Sequence, residues 1–295
     1  MSQVVRFTVL VEDTSRRPEL LAEHGFAVWI EVNSKRILFD TGQGKALLKN
    51  ALKLGVDLNK TEAIVLSHGH YDHVGGLTDV LRMASRVKIF AHPDALRPKY
   101  ARSKEGVARA IGIDPEHALE LQEWKEAFIY TEAPAEICEG IYATGPIPRI
   151  TDYEDTGGPF FLDQACEKHD ELVDDQAIYF ESTEGMVVLL GCAHAGVINT
   201  LQYIRRLTQD RPVYAVMGGM HLISASSQRL DRTIEALKEL NIQRLWPGHC
   251  TGVSATARLC TACCTGCVSC SVGTTAEFRI PVAHTQPDTG VVRGG

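Results

Sequence analysis

No apolar run in this 295-residue chain approaches the roughly 20 residues a bilayer-spanning helix needs, so no membrane partner is expected. The stretch from Met1 to Val11 is broken by charge and lacks the long apolar core of a secretion signal. Positive charge is not in excess. Thirty Lys and Arg face 37 Asp and Glu, a formal net charge of −7, and no basic stripe occurs. A surface that wraps nucleic acid needs clustered cations to displace counterions, so no nucleic-acid partner is expected. No internal repeat is visible. A secreted disulfide framework is also disfavoured, because nine cysteines is an odd count and most crowd one short segment. The expectation is a soluble, cytoplasmic protein acting on a small-molecule substrate, with a homo-oligomer left open.

What is present is the composition of a folded domain. With 44% hydrophobic residues the chain can bury a substantial core, and its 25 glycines suit many tight connections. Short β-rich runs alternate with amphipathic helical ones. Strands are predicted at Val4–Val11, Ala27–Val32, Arg36–Phe39, Ile64–Leu66, Val87–Ala91, Ala177–Phe180, Val187–Leu190, Val213–Val216 and Gln243–Trp246. Helices are predicted at Lys45–Leu54, Gly76–Ala84, Val197–Leu207 and Ser227–Leu240, the last on the helical repeat of Leu230, Ile234 and Leu237. Apolar faces on both kinds of element imply an α/β layered sandwich. From His92 to about Trp124 the chain is polar and carries Pro93, Pro98 and Pro115, which reads as a helical insertion or lid at about 92–125. Thr144 to Asp175 is a long, acidic, Gly/Pro-rich loop of a length usually functional or disordered.

The strongest chemical signal is His68-x-His70-x-Asp72-His73, directly after the apolar run Ala63-Ile64-Val65-Leu66. Alternate residues of an extended segment point the same way, so His68 and His70 can grip one ion. Asp72 and His73 follow where the chain turns into a helix and can face a second. Imidazole and carboxylate donors suit Zn, Mn or Fe. Four ligand-type side chains in six residues at a strand end make a chance polar loop improbable. His194, His221 and His249 each follow a buried-looking strand in the same way. Singly each would be an ordinary loop histidine; as a set they fit parallel strands that end at one crevice.

With these residues the chain resembles the metallo-β-lactamase superfamily. Within it, Leu38-Phe39-Asp40-Thr41-Gly42, Gly145-Pro146-Ile147-Pro148-Arg149, Gly191-Cys192-Ala193-His194-Ala195-Gly196, Gly218-Gly219-Met220-His221-Leu222 and Gly248-His249-Cys250-Thr251-Gly252 resemble a branch related to archaeal dihydropterin condensing enzymes. The resemblance implies a four-layer αββα sandwich over 1–252. The cysteine-rich segment and a final strand at 253–295 would pack on the same domain. It also implies one or two divalent ions, with His68, His70 and His194 holding the first and Asp72, His73 and His249 the second. Asp40 would orient a ligand imidazole. The superfamily usually supplies a bridging aspartate where this chain has His221. A neutral imidazole cannot bridge two cations as a carboxylate does, so the second position is expected to be the weaker. His221 would bind one metal, serve as an acid/base with Asp72 as the other catalytic group, or hydrogen-bond substrate.

The reaction implied is hydrolysis of a small anionic substrate by metal-activated water. The alternative is transfer from a dihydropterin-methyl diphosphate with release of diphosphate. Substrate contacts are expected from Arg149, as an anion clamp or else a solvated partner of Glu154 or Asp152, and from His24 at the mouth. A third, non-catalytic reading rests on Cys260, Cys263, Cys264, Cys267 and Cys270. Their spacing resembles a zinc or iron–sulfur knuckle, with Cys250 or Cys192 as a remote ligand, and would make a metal or redox sensor. Yet four of them stand at i, i+3, i+4 and i+7, the stripe of a helix begun near Ser254 on which cysteine packs as a small hydrophobe. The packing reading is preferred.

Overall fold

The computed structural model describes residues 3–84, 86–263 and 266–281. Two seven-stranded sheets face each other. The first runs β17 (Thr275–Ile280), β1 (Gln3–Val11), β2 (Ala27–Val32), β3 (Lys35–Phe39), β4 (Ala63–Val65), β5 (Lys88–Ala91), β8 (Phe128–Tyr130). The second runs β16 (Gly266–Cys267), β15 (Arg244–Gly248), β14 (Val213–Gly219), β13 (Gly185–Leu190), β12 (Ile178–Ser182), β10 (Ile141–Ala143), β9 (Ala135–Cys138). Each sheet is antiparallel in one half and parallel in the other, the parallel pairs being β3–β4–β5–β8 and β13–β14–β15–β16.

Alternation along the strands builds the layers. Val5, Phe7 and Val9 of β1, Val187 and Leu189 of β13, and Ala215 and Met217 of β14 point between the sheets and meet Phe180 and Phe278. Residues one step out of phase, such as Val188, Leu190 and Val216, point outward under α5 (Val197–Leu207), α6 (Ser227–Glu239) and α7 (Val253–Ala262). The opposite outer face, with Leu38, Ile64 and Ile89, is covered by α1 (Leu47–Leu54) and α3 (Leu77–Met83). The result is the helix–sheet–sheet–helix sandwich. Each fully buried Val, Leu, Ile or Phe contributes about 1.5–3 kcal/mol of transfer free energy, so the three cores outweigh any single ion pair. No helix among the described residues is long and apolar enough to cross a membrane.

Helix ends follow local chemistry. Ser226 caps α6 by accepting from Arg229 N at 3.1 Å, and Leu230, Ile234 and Leu237 form the buried face. Glu154 caps α5 from outside the helix, accepting from Ile198 N and Asn199 N at 2.9 Å each. Glu23 does the same for the turn entering α1, accepting from Gln43 N, Lys45 N and Ala46 N.

The segment expected to be a helical insertion is different. It holds a hairpin, β6 (Tyr100–Arg102) with β7 (Ala108–Ala110), to which β11 (Phe160–Phe161) adds a third strand. Helix is confined to α4 (Pro115–Glu120) and short 3-10 turns at Pro93–Leu96 and Leu121–Ala127. The prolines explain this: Pro93 and Pro115 open a turn, where a missing N–H costs nothing, and Pro98 blocks any continuous helix between them. The short α2 (Tyr71–Val74) completes the set, and Tyr71 N donates to Ile111 O at 2.8 Å, laying the hairpin's exit against the histidine loop.

The tail cysteines also depart from expectation. α7 ends at Ala262, so the stripe breaks after Cys260, and β16 carries Cys267 back onto Cys260 in a disulfide. Cys270 is buried between the two sheets, Cys263 is half-buried, and Cys264 lies outside the described residues. Among the described residues the tail forms no group of three metal donors.

Candidate metal centre

The loops that follow β1, β3, β4, β13, β14 and β15 converge on one edge. Parallel registry produces this. Leu190 pairs with Gly218 and Gly219 with Gly248, so the loops beginning at Gly191, Met220 and His249 open side by side. The first sheet supplies Asp40 after β3 and 66–73 after β4. Four non-glycine residues here, Asp40, Ala193, His221 and His249, have φ between 46° and 57°. Such left-handed backbone costs on the order of 1–3 kcal/mol each and gathers at functional sites.

Asp40 is the hub of the first sheet's contribution. Its Oδ1 accepts from Ser67 N at 2.7 Å, and its Oδ2 accepts from Ser67 Oγ at 2.7 Å and lies 2.6 Å from His73 Nδ1. Ser67 Oγ is also 2.9 Å from His68 Nδ1. Both rings are thereby fixed with Nε2 turned to the centre. His68 Nε2 lies 3.0 Å from His70 Nδ1, and the His194 ring closes over both, with centroids 4.7 and 4.8 Å away. The Nδ1 of His194 faces Thr156 O at 2.7 Å, leaving Nε2 for the centre.

Asp72 anchors the other half. Its Oδ2 lies 3.2 Å from His24 Nε2, 3.4 Å from His249 Nε2 and 3.8 Å from His73 Nε2. Asp13 holds two of these rings from behind, at 2.6 Å from His249 Nδ1 and 2.9 Å from His24 Nδ1. Glu12 accepts from His249 N at 2.6 Å. His24, placed at the mouth by its sequence context, is thus tied to Asp72 while its side chain remains 53% exposed.

The charge states of His68, His70 and His194 suit cation binding, whereas at His249 burial is outweighed by Cys250, Asp13 and Asp72, which hold it above the ordinary histidine value until an ion displaces the proton. Burial holds His68, His70 and His194 well below the ordinary histidine value, so they stay neutral with lone pairs free. Burial favours protonated Asp72, but His73, His24 and His249 outweigh it and hold the carboxyl ionised. Asp13 and Asp72 raise His24 to about 9. Burial lifts Asp175, which accepts from Ala195 N at 2.8 Å, to about 7.

The donor set fits a divalent cation by its unmet needs. His70 Nε2, His194 Nε2 and His221 Nδ1 are buried with no hydrogen-bond partner, each costing about 1–3 kcal/mol unless a ligand meets it. Groups whose donor atoms lie within 4.8 Å of one another include His68/Cys192/His194, His73/Cys192/His249 and Asp13/His24/His249.

The long acidic loop is ordered by its own carboxylates and forms a roof. Beyond Glu154, Asp152 pairs with Arg232 and Asp155 with Arg229, both on α6. Phe160 lies over His70, His194 and His221, with centroids at 5.0, 5.3 and 6.3 Å. Gly157 is required there: at φ 85° a Cβ would meet His221 Cδ2 at 1.7 Å. The His221 ring lies beside His194, centroids 4.3 Å apart and planes tilted at 45°, and its backbone N donates to Cys250 Sγ at 3.3 Å. A cavity of about 350 Å³ opens next to it, lined by Thr156, Gly157, His221, Ser224 and Arg229.

Arg149 is held from one side by the chain's own backbone. Its Nη2 donates to Glu171 O at 2.7 Å, and the partners expected for it, Glu154 and Asp152, are engaged with α5 and α6. His92 accepts from Asp94 N as a turn cap, in keeping with a structural role. Asp13 and Arg229 are the neighbours of this cluster that sequence reasoning missed, and Cys192, weighed only as a remote ligand of the tail cysteines, lies among the histidines instead. The signal for Asp13 was its place just past β1, the same strand-end position as the histidines.

Comparison with known proteins agrees with this geometry. The sequence matches the metallo-beta-lactamase superfamily over residues 21–249, which includes the histidines of every converging loop. It is 36% identical over 254 residues to the uncharacterized protein MJ0448 of Methanocaldococcus jannaschii, covering 85% of this chain and 92% of that one. It is 30% identical over 244 residues to the 7,8-dihydropterin-6-methyl-4-(β-D-ribofuranosyl)-aminobenzene-5'-phosphate synthase of the same organism, covering 79% and 83%. The solved structure of Tm1679, a metal-dependent hydrolase of the beta-lactamase superfamily, superposes with a TM-score of 0.75 at 30% identity, covering 93% of this chain and 99% of that one. Fold, strand-end histidines and near full-length relatives together place this chain in the metallo-β-lactamase superfamily.

Proposed function

We propose that the chain is a two-ion metallohydrolase acting on a small anionic substrate, with zinc the ion best suited to its donors. His68, His70 and His194 would hold one ion, and Asp72, His73 and His249 the other. The observation that carries this reading is the pair of buried, partnerless nitrogens, His70 Nε2 and His194 Nε2, on two neutral imidazoles whose ring centroids lie 4.8 Å apart beside His68. When bound, a divalent cation supplies Lewis acidity and lowers the pKa of a coordinated water to about 7.

The chain's own groups would do the rest. Asp40 and Asp13 fix the tautomers of His73 and His249 by taking up their Nδ1 atoms. Phe160 excludes water over His70 and His194. His24, charged at neutral pH, offers an anionic substrate a contact at the mouth. Arg229, with Nε and Nη2 buried and unpartnered on the His221 cavity, adds a second cationic group. His221 Nδ1, buried without a partner, is the group left to exchange a proton with substrate or leaving group.

The dihydropterin transfer reading is the second candidate, favoured by the 30% identity to the synthase over 79% of this chain. It uses the same ligands, with the cationic contacts on a diphosphate. Metal analysis of protein purified without added ions tests the common part. Two zinc ions per chain are expected, and fewer than two in His68→Ala and Asp72→Ala. Unchanged metal content in both variants sinks the ligand assignment. Turnover of phosphoesters or lactones, against diphosphate release only when a dihydropterin-methyl diphosphate and an arylamine are both present, separates hydrolysis from transfer.

A further inference from the structure

Two cations held a few ångströms apart repel strongly unless an anion lies between them. The residue expected at that position from the family pattern is His221, which brings no charge. Its ring is displaced toward His194, Phe160 and the neighbouring cavity. The atom that does stand between the two halves is Cys192 Sγ. It lies within 4.8 Å of the donor atoms of His68 and His194 on one side, and of His73 and His249 on the other. Among the described residues it belongs to three of the four candidate metal groups. His73 Nε2 is 3.1 Å from it.

A buried thiol alone would be read as packing. Here the surrounding groups point to a ligand. His194 Nε2 and His70 Nε2 are fully buried without a partner, and Cys192 shares its side of the pocket with His68 and His194. The loop that carries Cys192 is fixed in place. Gly219 N donates to Gly191 O at 3.0 Å, Ala195 N donates to Asp175 Oδ2 at 2.8 Å, and Ala193 adopts φ 55°. The other thiol nearby, Cys250, shares one of these groups with Cys192 and His221 but reaches neither half of the centre's histidine pairs. It is engaged with the backbone, accepting from His221 N and donating to Cys192 O at 3.6 Å.

We propose that Cys192 is the bridging anion of the two-ion centre, contributing as a thiolate the negative charge that a neutral His221 does not bring. This rests on the two-ion reading above. Thiolate is a soft donor that selects zinc over magnesium or calcium, and a coordinating thiol is deprotonated outright, its proton passing to solvent with no change of oxidation state. The second position is then no longer the weaker one that a neutral His221 implied.

Cobalt(II) gives a readout independent of activity. The full chain loaded with cobalt(II) under argon, without added thiol so that Cys260 and Cys267 stay paired, should bind two ions. It should also show a near-ultraviolet thiolate-to-cobalt charge-transfer band. Cys192→Ser should lose the band and retain one ion where the unaltered chain retains two. Cys192→Asp should restore two ions without the band, and Cys250→Ser should keep both features. Two bound ions with no band in the unaltered chain would overturn the thiolate bridge and leave the two-ion reading standing, with no variant needed. A band that survives Cys192→Ser and vanishes in Cys250→Ser would do the same. Failure to bind any cobalt would overturn both.

Discussion

Asp40 shows how one buried side chain can set the geometry of several others. Its two oxygens serve Ser67 N, Ser67 Oγ and His73 Nδ1 at 2.6–2.7 Å. Asp40→Asn keeps the shape but turns one acceptor into a donor facing Ser67 or His73. The expected loss is about 10–100-fold in metal affinity or activity, the usual effect of removing an outer support of a metal ligand. Competition with a chromophoric chelator measures it, and an affinity within twofold of the parent would show that His73 needs no such support. Lys99 makes a different kind of anchor. Fully buried, its Nζ lies 2.7 Å from Asp170 and 3.0 Å from Asp174, and Asp174 accepts from Gly69 N inside the histidine loop. Lys99→Met strands two buried carboxylates and should cost about 3–5 kcal/mol of stability in denaturant titration. Burial opposes charge on this lysine, but Asp174 and Asp170 outweigh it and raise its pKa above 10.5. A raised pKa means the stabilisation is complete below 10.5 and is lost only as pH climbs through the higher folded value. The gap between parent and variant should therefore stay constant from pH 7 to 10 and narrow only above that. A gap that closes near neutrality would assign the effect to another group.

At the scale of elements, the roof loop is the piece whose removal from position should matter most. Gly157→Ala puts a methyl group where the His221 ring lies and forces a left-handed φ on alanine. The loop must shift, and with it Thr156 O, which fixes His194. Retained metal should fall while the melting temperature drops by only a few degrees. A variant with full metal content would show that Thr156 does not set the His194 ring. The same loop marks where sequence reading stops. Strands β1 to β5 and β12 to β15 and the helices at 47–54, 77–83, 197–207 and 227–239 were legible because period-2 and period-3.6 apolar patterns are local, whereas the short β8, β9 and β10 were not read. His68, His70, Asp72 and His73 were legible because they are consecutive on one loop. The ordering of 152–161 was not, since it depends on pairing with Arg229 and Arg232, 74 and 80 residues away, which no local pattern encodes. The hairpin at 100–110 was hidden for the same reason: it gains its third strand from Phe160–Phe161. Asp13 and Cys192 carried only position, one past a strand and the other beside a more conspicuous histidine.

For the molecule as a whole, the centre lies across the seam between the two sheets. His68, His70, Asp72 and His73 come from the first, and His194, His221 and His249 from the second. A cation held by both is therefore a tie between layers that otherwise adhere through their apolar core. A ligand that binds only the folded state stabilises it by RT ln(1 + [L]/Kd), about 2.7 kcal/mol when the free ion is at a hundred times Kd. For a chain of this size, about 2–4 °C per kcal/mol applies, so chelation should lower the melting temperature by roughly 5–10 °C. The change should be localised as well. Without the ion, the His70 and His194 nitrogens stay unmet, and the left-handed backbone at Asp40, Ala193, His221 and His249 keeps only the loops' own hydrogen bonds. Amide exchange should then accelerate at 67–73, 191–196, 219–222 and 248–251 together, while β1, β13 and β14 stay protected. The two sets of loops should respond as one because a single cluster of donors joins them. Acceleration in the loops of one sheet only would mean that each half holds its ion independently, and that the seam is held by the apolar core alone.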